Sequence, residues 1–193
     1  VGGDGEEDVI NTVVETTDGG FTIGGYFDSS SIDLGNGVSL THKGKYDGMI
    51  VKYNAKGECE WGKVVAGSYY DVIDSVAETS DGGIVAVGYF SSISIELDNG
   101  DILKNENDDY TYTDVDNGMI IKYDKNGKIE WSKALGYGYA NSVTVCSNGE
   151  IIVGSSMGLI KYTAEGKVQW KKEIKKWGKN IFAILSVSVT SDG

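Results

Sequence analysis

The sequence repeats itself, and that limits the folds open to it more than any other feature. Shifted by 63 positions, residues 8–40 coincide with 71–103 at 19 of 33 places, too many for unrelated segments, so the chain folds as copies of one supersecondary unit. DVINTVVETTDGGFTIGGYF from Asp8 becomes DVIDSVAETSDGGIVAVGYF from Asp71. Farther on the offset grows to 70, where DGMIVKYNAKGECEWGK from Asp47 meets NGMIIKYDKNGKIEWSK from Asn117, so an insertion lies between Lys104 and Asp116. A third copy reads ANSVTVCSNGEIIVGSS from Ala140 and MGLIKYTAEGKVQWKK from Met157, without the long insertion. ILSVSVTSDG, from Ile184 to Gly193, opens a fourth, and VGGDGEED at the start reads as the tail of an earlier copy. Both ends fall inside the pattern and no Met begins it, so a segment of a longer or processed protein is expected.

Each unit carries four strand signals, A to D. Strand A, such as Val72 to Thr79, ends at a Ser/Thr-Asp-Gly-Gly turn, because Asp-Gly supplies the positive φ of a tight hairpin. Strand B, such as Ile84 to Phe90, is rich in β-branched and aromatic residues. Strand C places Met49, Val51 and Tyr53 on one face and Ile50 and Lys52 on the other. Polar glycine turns then lead to strand D, which carries Trp61, Trp131 or Trp170. No helical period is present. The expected organisation is one array over 1–193, with units at 8–67, 71–136 and 140–177 and the start of another at 181–193.

At these residues, the glycine turn leading into Trp61, Trp131 and Trp170, the repeats resemble the β-propeller repeats of the quinoprotein (pyrroloquinoline quinone) type and related repeats of secreted bacterial proteins. The resemblance implies an all-β propeller of four-stranded antiparallel blades, about three of them plus the first strand of a fourth. Such a partial ring would be completed by the parent chain or by self-association. It also implies that Trp61, Trp131 and Trp170, with Tyr53, Tyr123 and Tyr162, pack between blades. Quinoprotein enzymes would bring a cofactor under a vicinal disulfide with Arg, Asp and Glu partners and calcium. Here Cys59 and Cys146 are not adjacent and Arg is missing, so the blade carries over and the catalysis does not.

Composition narrows the function classes. Against 29 acidic residues stand 17 basic ones, a net charge of −12, all of the basic ones Lys. Nucleic-acid binding, which needs a basic face, is not expected. The apolar runs are too short for membrane insertion. A single His42 and two separated cysteines leave little for metal or triad chemistry, and both cysteines read as small buried hydrophobes.

In an up-and-down sheet the A–B and C–D turns share one face and the B–C and D–A loops the other. Length variation gathers on the second face: the B–C connections run Asp28 to Tyr46 and Ser91 to Asp116 and almost vanish near Ser156. Candidate ligand-binding residues there are Tyr46, Tyr69, Tyr70, Tyr110, Tyr112, Tyr137 and Tyr139, flat apolar surfaces with a hydroxyl, suited to a protein or glycan partner. Asp108, Asp109, Asp114 and Asp116 form an acidic stretch with two readings: oxygen ligands for calcium, the one cofactor under consideration, or a solvated loop. No catalytic residue is assigned. The expected function is a non-catalytic propeller module of a bacterial extracellular or cell-surface protein that displays or binds ligands. The alternatives are a segment of a propeller enzyme, hydrolase or oxidoreductase, with its active residues elsewhere, or purely structural spacer repeats.

Overall fold

The structure, a computed structural model, describes residues 3–105, 115–174 and 183–190. The first unit comprises β1 (Val9–Glu15), β2 (Phe21–Phe27), β3 (Ser31–Gly35), β4 (Val38–Thr41), β5 (Asp47–Tyr53) and β6 (Cys59–Val65). The second comprises β7 (Asp71–Glu78), β8 (Ile84–Phe90), β9 (Ser94–Glu96), β10 (Ile102–Lys104), β11 (Asn117–Tyr123) and β12 (Ile129–Tyr137). The third comprises β13 (Ala140–Val145), β14 (Ile151–Ser155), β15 (Gly158–Tyr162) and β16 (Val168–Glu173). They pair as four-stranded antiparallel sheets ordered β1-β2-β5-β6, β7-β8-β11-β12 and β13-β14-β15-β16, with β3-β4 and β9-β10 as separate two-stranded hairpins.

The propeller expected from the repeats is overturned. The described residues build five separate antiparallel sheets that stay open, and none of these closes or curls into a propeller. The physical reason lies in what a strand pattern encodes. Alternation and glycine turns fix pairing inside a unit, whereas closure depends on the number of units and the angle between them. The inserts also pair with themselves, Ile32 opposite Leu40 and Ile95 opposite Leu103, rather than extending the larger sheets. Residues 183–190 form no assigned strand.

The third strand of each of the first two sheets is buried at all seven positions, because both faces are covered. Each holds one lysine whose ammonium meets oxygens of three residues. Lys52 Nζ lies 2.9 Å from Asp18 and 3.3 Å from Glu60 and donates to the Tyr53 carbonyl at 3.0 Å. Lys122 repeats this with Asp81, Glu130 and the Tyr123 carbonyl. The A–B turns close on the same logic, Thr16 Oγ1 donating to Asp18 and Thr79 Oγ1 to Asp81.

Successive sheets stack through complementary sizes. A Cβ on Gly24 would lie 2.8 Å from Ile73 and 3.0 Å from Val76, and one on Gly154 2.6 Å from Ile184 and 3.0 Å from Val187. At the middle junction the sizes swap, since Val87, in the place of Gly24, packs in one cluster with Ala140 and Val143, which replace Ile73 and Val76. Bulges in β1 and β13 turn Asn11 and Asn141 outward, and their amides donate to the Ile73 and Ile184 carbonyls, each at 3.0 Å.

The indoles form a second tie. Trp61 Nε1 donates to the Lys125 carbonyl at 3.2 Å and its ring stacks with Tyr123 at 6.0 Å. Trp131 Nε1 likewise donates to the Ala164 carbonyl at 3.1 Å, and its ring lies tilted against Tyr162 at 6.3 Å. Each ring lies on a turn glycine, Gly127 or Gly166, with φ near 77° or 76°, where a Cβ would come within 2.8 or 2.7 Å of the indole. Trp170, placed alike in sequence, is 41% exposed and shows no such seat among the described residues. Tyr53 stacks on Phe21 of its own sheet at 4.9 Å.

Candidate tyrosine rim

Two buried carboxylates hold the loops that carry the tyrosines. Asp47, fully buried, accepts from the amides of Lys43 at 2.5 Å and Gly44 at 2.9 Å, which pins the segment ending in Lys45 and Tyr46. Asp71, also fully buried, accepts from Gly67 N at 2.6 Å and Ser92 Oγ at 3.0 Å, while Ser92 Oγ accepts from Tyr69 N at 2.9 Å. Burial, with the Asp47 charge adding to it, pushes the Asp71 carboxyl up to about 6, and burial raises Asp47 as well. A backbone bridge joins Tyr46 to Tyr70.

The rings so placed touch in series. Tyr26 lies 5.0 Å from Tyr46, Tyr46 5.0 Å from Tyr70, and Tyr70 4.5 Å from Tyr69. Lys45 Nζ sits 4.1 Å above the Tyr69 ring and 5.0 Å from that of Tyr70. Tyr26 donates to Glu7 at 3.4 Å. A hydrogen bond to Glu7 lifts the Tyr46 phenol to about 12, with burial and the Glu7 charge contributing.

A second group continues the rim on the next sheet. Tyr139 lies edge-on to Tyr89 at 4.8 Å and donates to Asp116 Oδ2 at 2.5 Å, while Ser91 Oγ donates to Oδ1 at 2.5 Å. The Asp116 bond, then burial, lifts the Tyr139 phenol to about 12. Tyr89 is raised by burial and by the charges of Asp74 and Asp116. Asp74 sits at the β7 bulge and burial alone pushes its carboxyl up to about 7.

The residues singled out in sequence divide accordingly. Tyr46, Tyr69 and Tyr70 come together; Tyr139 pairs with Tyr89; Tyr137 stands 66% exposed and lines a groove toward the third sheet. Asp116 spends both oxygens on hydroxyl donors. Tyr110, Tyr112, Asp108, Asp109 and Asp114 lie outside the described residues. Sequence reasoning missed Tyr26, Tyr89 and Asp74. A Tyr-Phe pair ending strand B in two units was the available signal for the tyrosines.

The reading of the chain as a propeller binding and display module loses its basis with the propeller, as does its alternative, a segment of a propeller enzyme. Among the described residues no group of three or more His, Cys, Asp or Glu is placed to hold a metal ion. Cys59 and Cys146 are buried free thiols. No helix of the described residues is long and apolar enough to cross a membrane.

No family model matches the chain, and no curated protein matches it. Among solved structures, one described as the extracellular domain of a hybrid two component system from B. thetaiotaomicron is similar over 95% of this chain, at 14% identity and a TM-score of 0.31. This chain spans 36% of that structure's length, and a likeness of that order transfers nothing to it.

Proposed function

We propose that the tyrosine rim binds a basic segment of a partner protein, with no reaction assigned to the chain. The observation that carries the reading is the row of ring contacts from Tyr26 to Tyr69, flanked by Glu7 and already holding one ammonium, that of Lys45. Aromatic faces attract cations, and a net charge of −12 draws a basic partner in by long-range steering. Neighbouring Asp116, held by the Tyr139 and Ser91 hydroxyls, extends the anionic edge. An extracellular or cell-surface setting belongs to the same proposal, in keeping with an acidic surface rich in Gly, Ser, Thr and Tyr.

The test is calorimetric titration with hexalysine at low and at physiological salt, on the unaltered chain and on a Tyr46→Ala/Tyr70→Ala variant checked for folding by circular dichroism. Two cation–aromatic contacts of about 0.5–1 kcal/mol each predict about a fivefold to thirtyfold loss of affinity. Equal affinity for the two proteins would leave only attraction by net charge and would sink the reading.

A further inference from the structure

Two equivalent spaces between sheets are filled differently. Between the first and second sheets the β9–β10 hairpin is wedged at the outer side. Its Ile95, Leu97 and Leu103 bury in one cluster with Trp61 and Val65 of the first sheet and Met119 of the second. Lys63 on β6 reaches Asp98 at the hairpin tip at 2.8 Å, and Ser132 on β12 donates to Asp101 at 3.4 Å. The third unit has no hairpin, since only Ser156 and Met157 separate β14 from β15. The corresponding space between the second and third sheets is a groove of about 130 Å³, lined by Leu135, Gly136 and Tyr137 on one side and Gly158, Ile160 and Lys171 on the other.

The registers make the equivalence concrete. Lys133 stands opposite Ile120 as Lys63 stands opposite Ile50. Where Lys63 has Asp98, the Lys133 ammonium has no carboxylate partner among the described residues and lies 6.0 Å from the Trp131 ring. Met157, at the mouth, is 51% exposed. A mostly apolar cleft, with Lys133 two positions before its lining residue Leu135 on β12 and without a carboxylate partner among the described residues, is the complement of what the chain itself puts into the preceding space.

We propose that this groove docks a β-hairpin of a partner protein, one with apolar side chains facing inward at alternate positions and a carboxylate at its tip to meet Lys133. Apolar side chains entering the cleft supply the affinity, and the tip charge sets the depth and direction of entry. The surface is distinct from the Tyr26–Tyr69 row, so failure here leaves the rim proposal standing and the converse also holds.

The probe is the chain's own hairpin sequence, SIELDNGDILK from Ser94 to Lys104, with its ends joined covalently because an isolated hairpin is marginal in water. It is titrated into the full chain and followed by backbone amide shifts. Saturable shifts at Leu135, Gly136, Gly158 and Ile160 are expected. Lys133→Glu should weaken binding about fivefold, the scale of a partly exposed ion pair, and a peptide carrying Asp98→Lys should restore it. No saturable shift, or an affinity indifferent to Lys133→Glu, would overturn the proposal. Shifts confined to the resident seat of β9–β10 would mean exchange with the chain's own hairpin and would overturn it too. Groove signals that move when the protein is concentrated without peptide would replace the foreign hairpin with a second copy, again against the proposal.

Discussion

At the scale of single residues, Asp74 is the position where one unit departs from its neighbours at a cost. The same bulge holds Asn11 and Asn141 in the other units, each donating to a carbonyl of the following unit. A carboxylate cannot donate, and burial pushes this one up to about 7, with Tyr89 and Tyr139 as its titratable neighbours. An acid held above its unfolded value of about 3.9 binds its proton more tightly in the folded chain, so the stability linked to it falls as pH rises from about 4 to about 7 and stays lost above. Asp74→Asn should therefore change stability little at pH 4 and raise it by about 1–2 kcal/mol at pH 8, read by urea unfolding at both values; the figure is kept below the full shift because the group is only partly buried. A smaller slope should persist in the variant, from Asp71 and Asp47. The sequence hid Asp74 because Asn and Asp substitute freely in a repeat alignment. Tyr46, Tyr69 and Tyr70 were legible because loop length varied around them, whereas Tyr26 and Tyr89 read as ordinary strand aromatics until their rings were seen at the sheet ends.

Among the elements, the three fourth strands look alike in sequence and differ in what their indoles meet. Trp61 is 9% exposed and Trp170 41%, with Trp131 between them. Alanine at Trp61 should cost about 3–5 kcal/mol, as for a buried ring. At Trp131 the loss should be smaller, and at Trp170 about 1 kcal/mol or less, nearer a surface change. Chemical denaturation of the three variants checks the order, and equal losses would contradict the seats described for Trp61 and Trp131. Strand pairing within units was legible in advance, because alternation and Asp-Gly turns are local properties. The separate standing of the inserts was half legible: their hairpins followed from Gly-Asn-Gly and Asp-Asn-Gly, but their packing between sheets did not, since that depends on apolar surface contributed by the preceding unit.

Across the whole molecule, stability should follow neighbours, since in a stack each sheet is supported only by those beside it. The second sheet is covered on both faces and the other two are less enclosed. Hydrogen exchange should therefore be slowest at amides of Val85, Val87, Ile120 and Ile121, all fully buried, and fastest in β16, exposed along its length. Uniform protection through the three sheets would show that they open as one body. Ring closure was not legible in the sequence because no residue pattern states how many units a circuit needs. What the repeats do state is their own order. Gly24 admits Ile73, Val87 admits Ala140, and Gly154 admits Ile184. If the second unit were deleted, Gly24 would face Ala140 and leave a void; if it were duplicated, Val87 would face Ile73 and collide. The units are thus not interchangeable beads: side-chain volume numbers them, and shuffling these near-identical segments by recombination would carry a packing penalty at every misplaced seam.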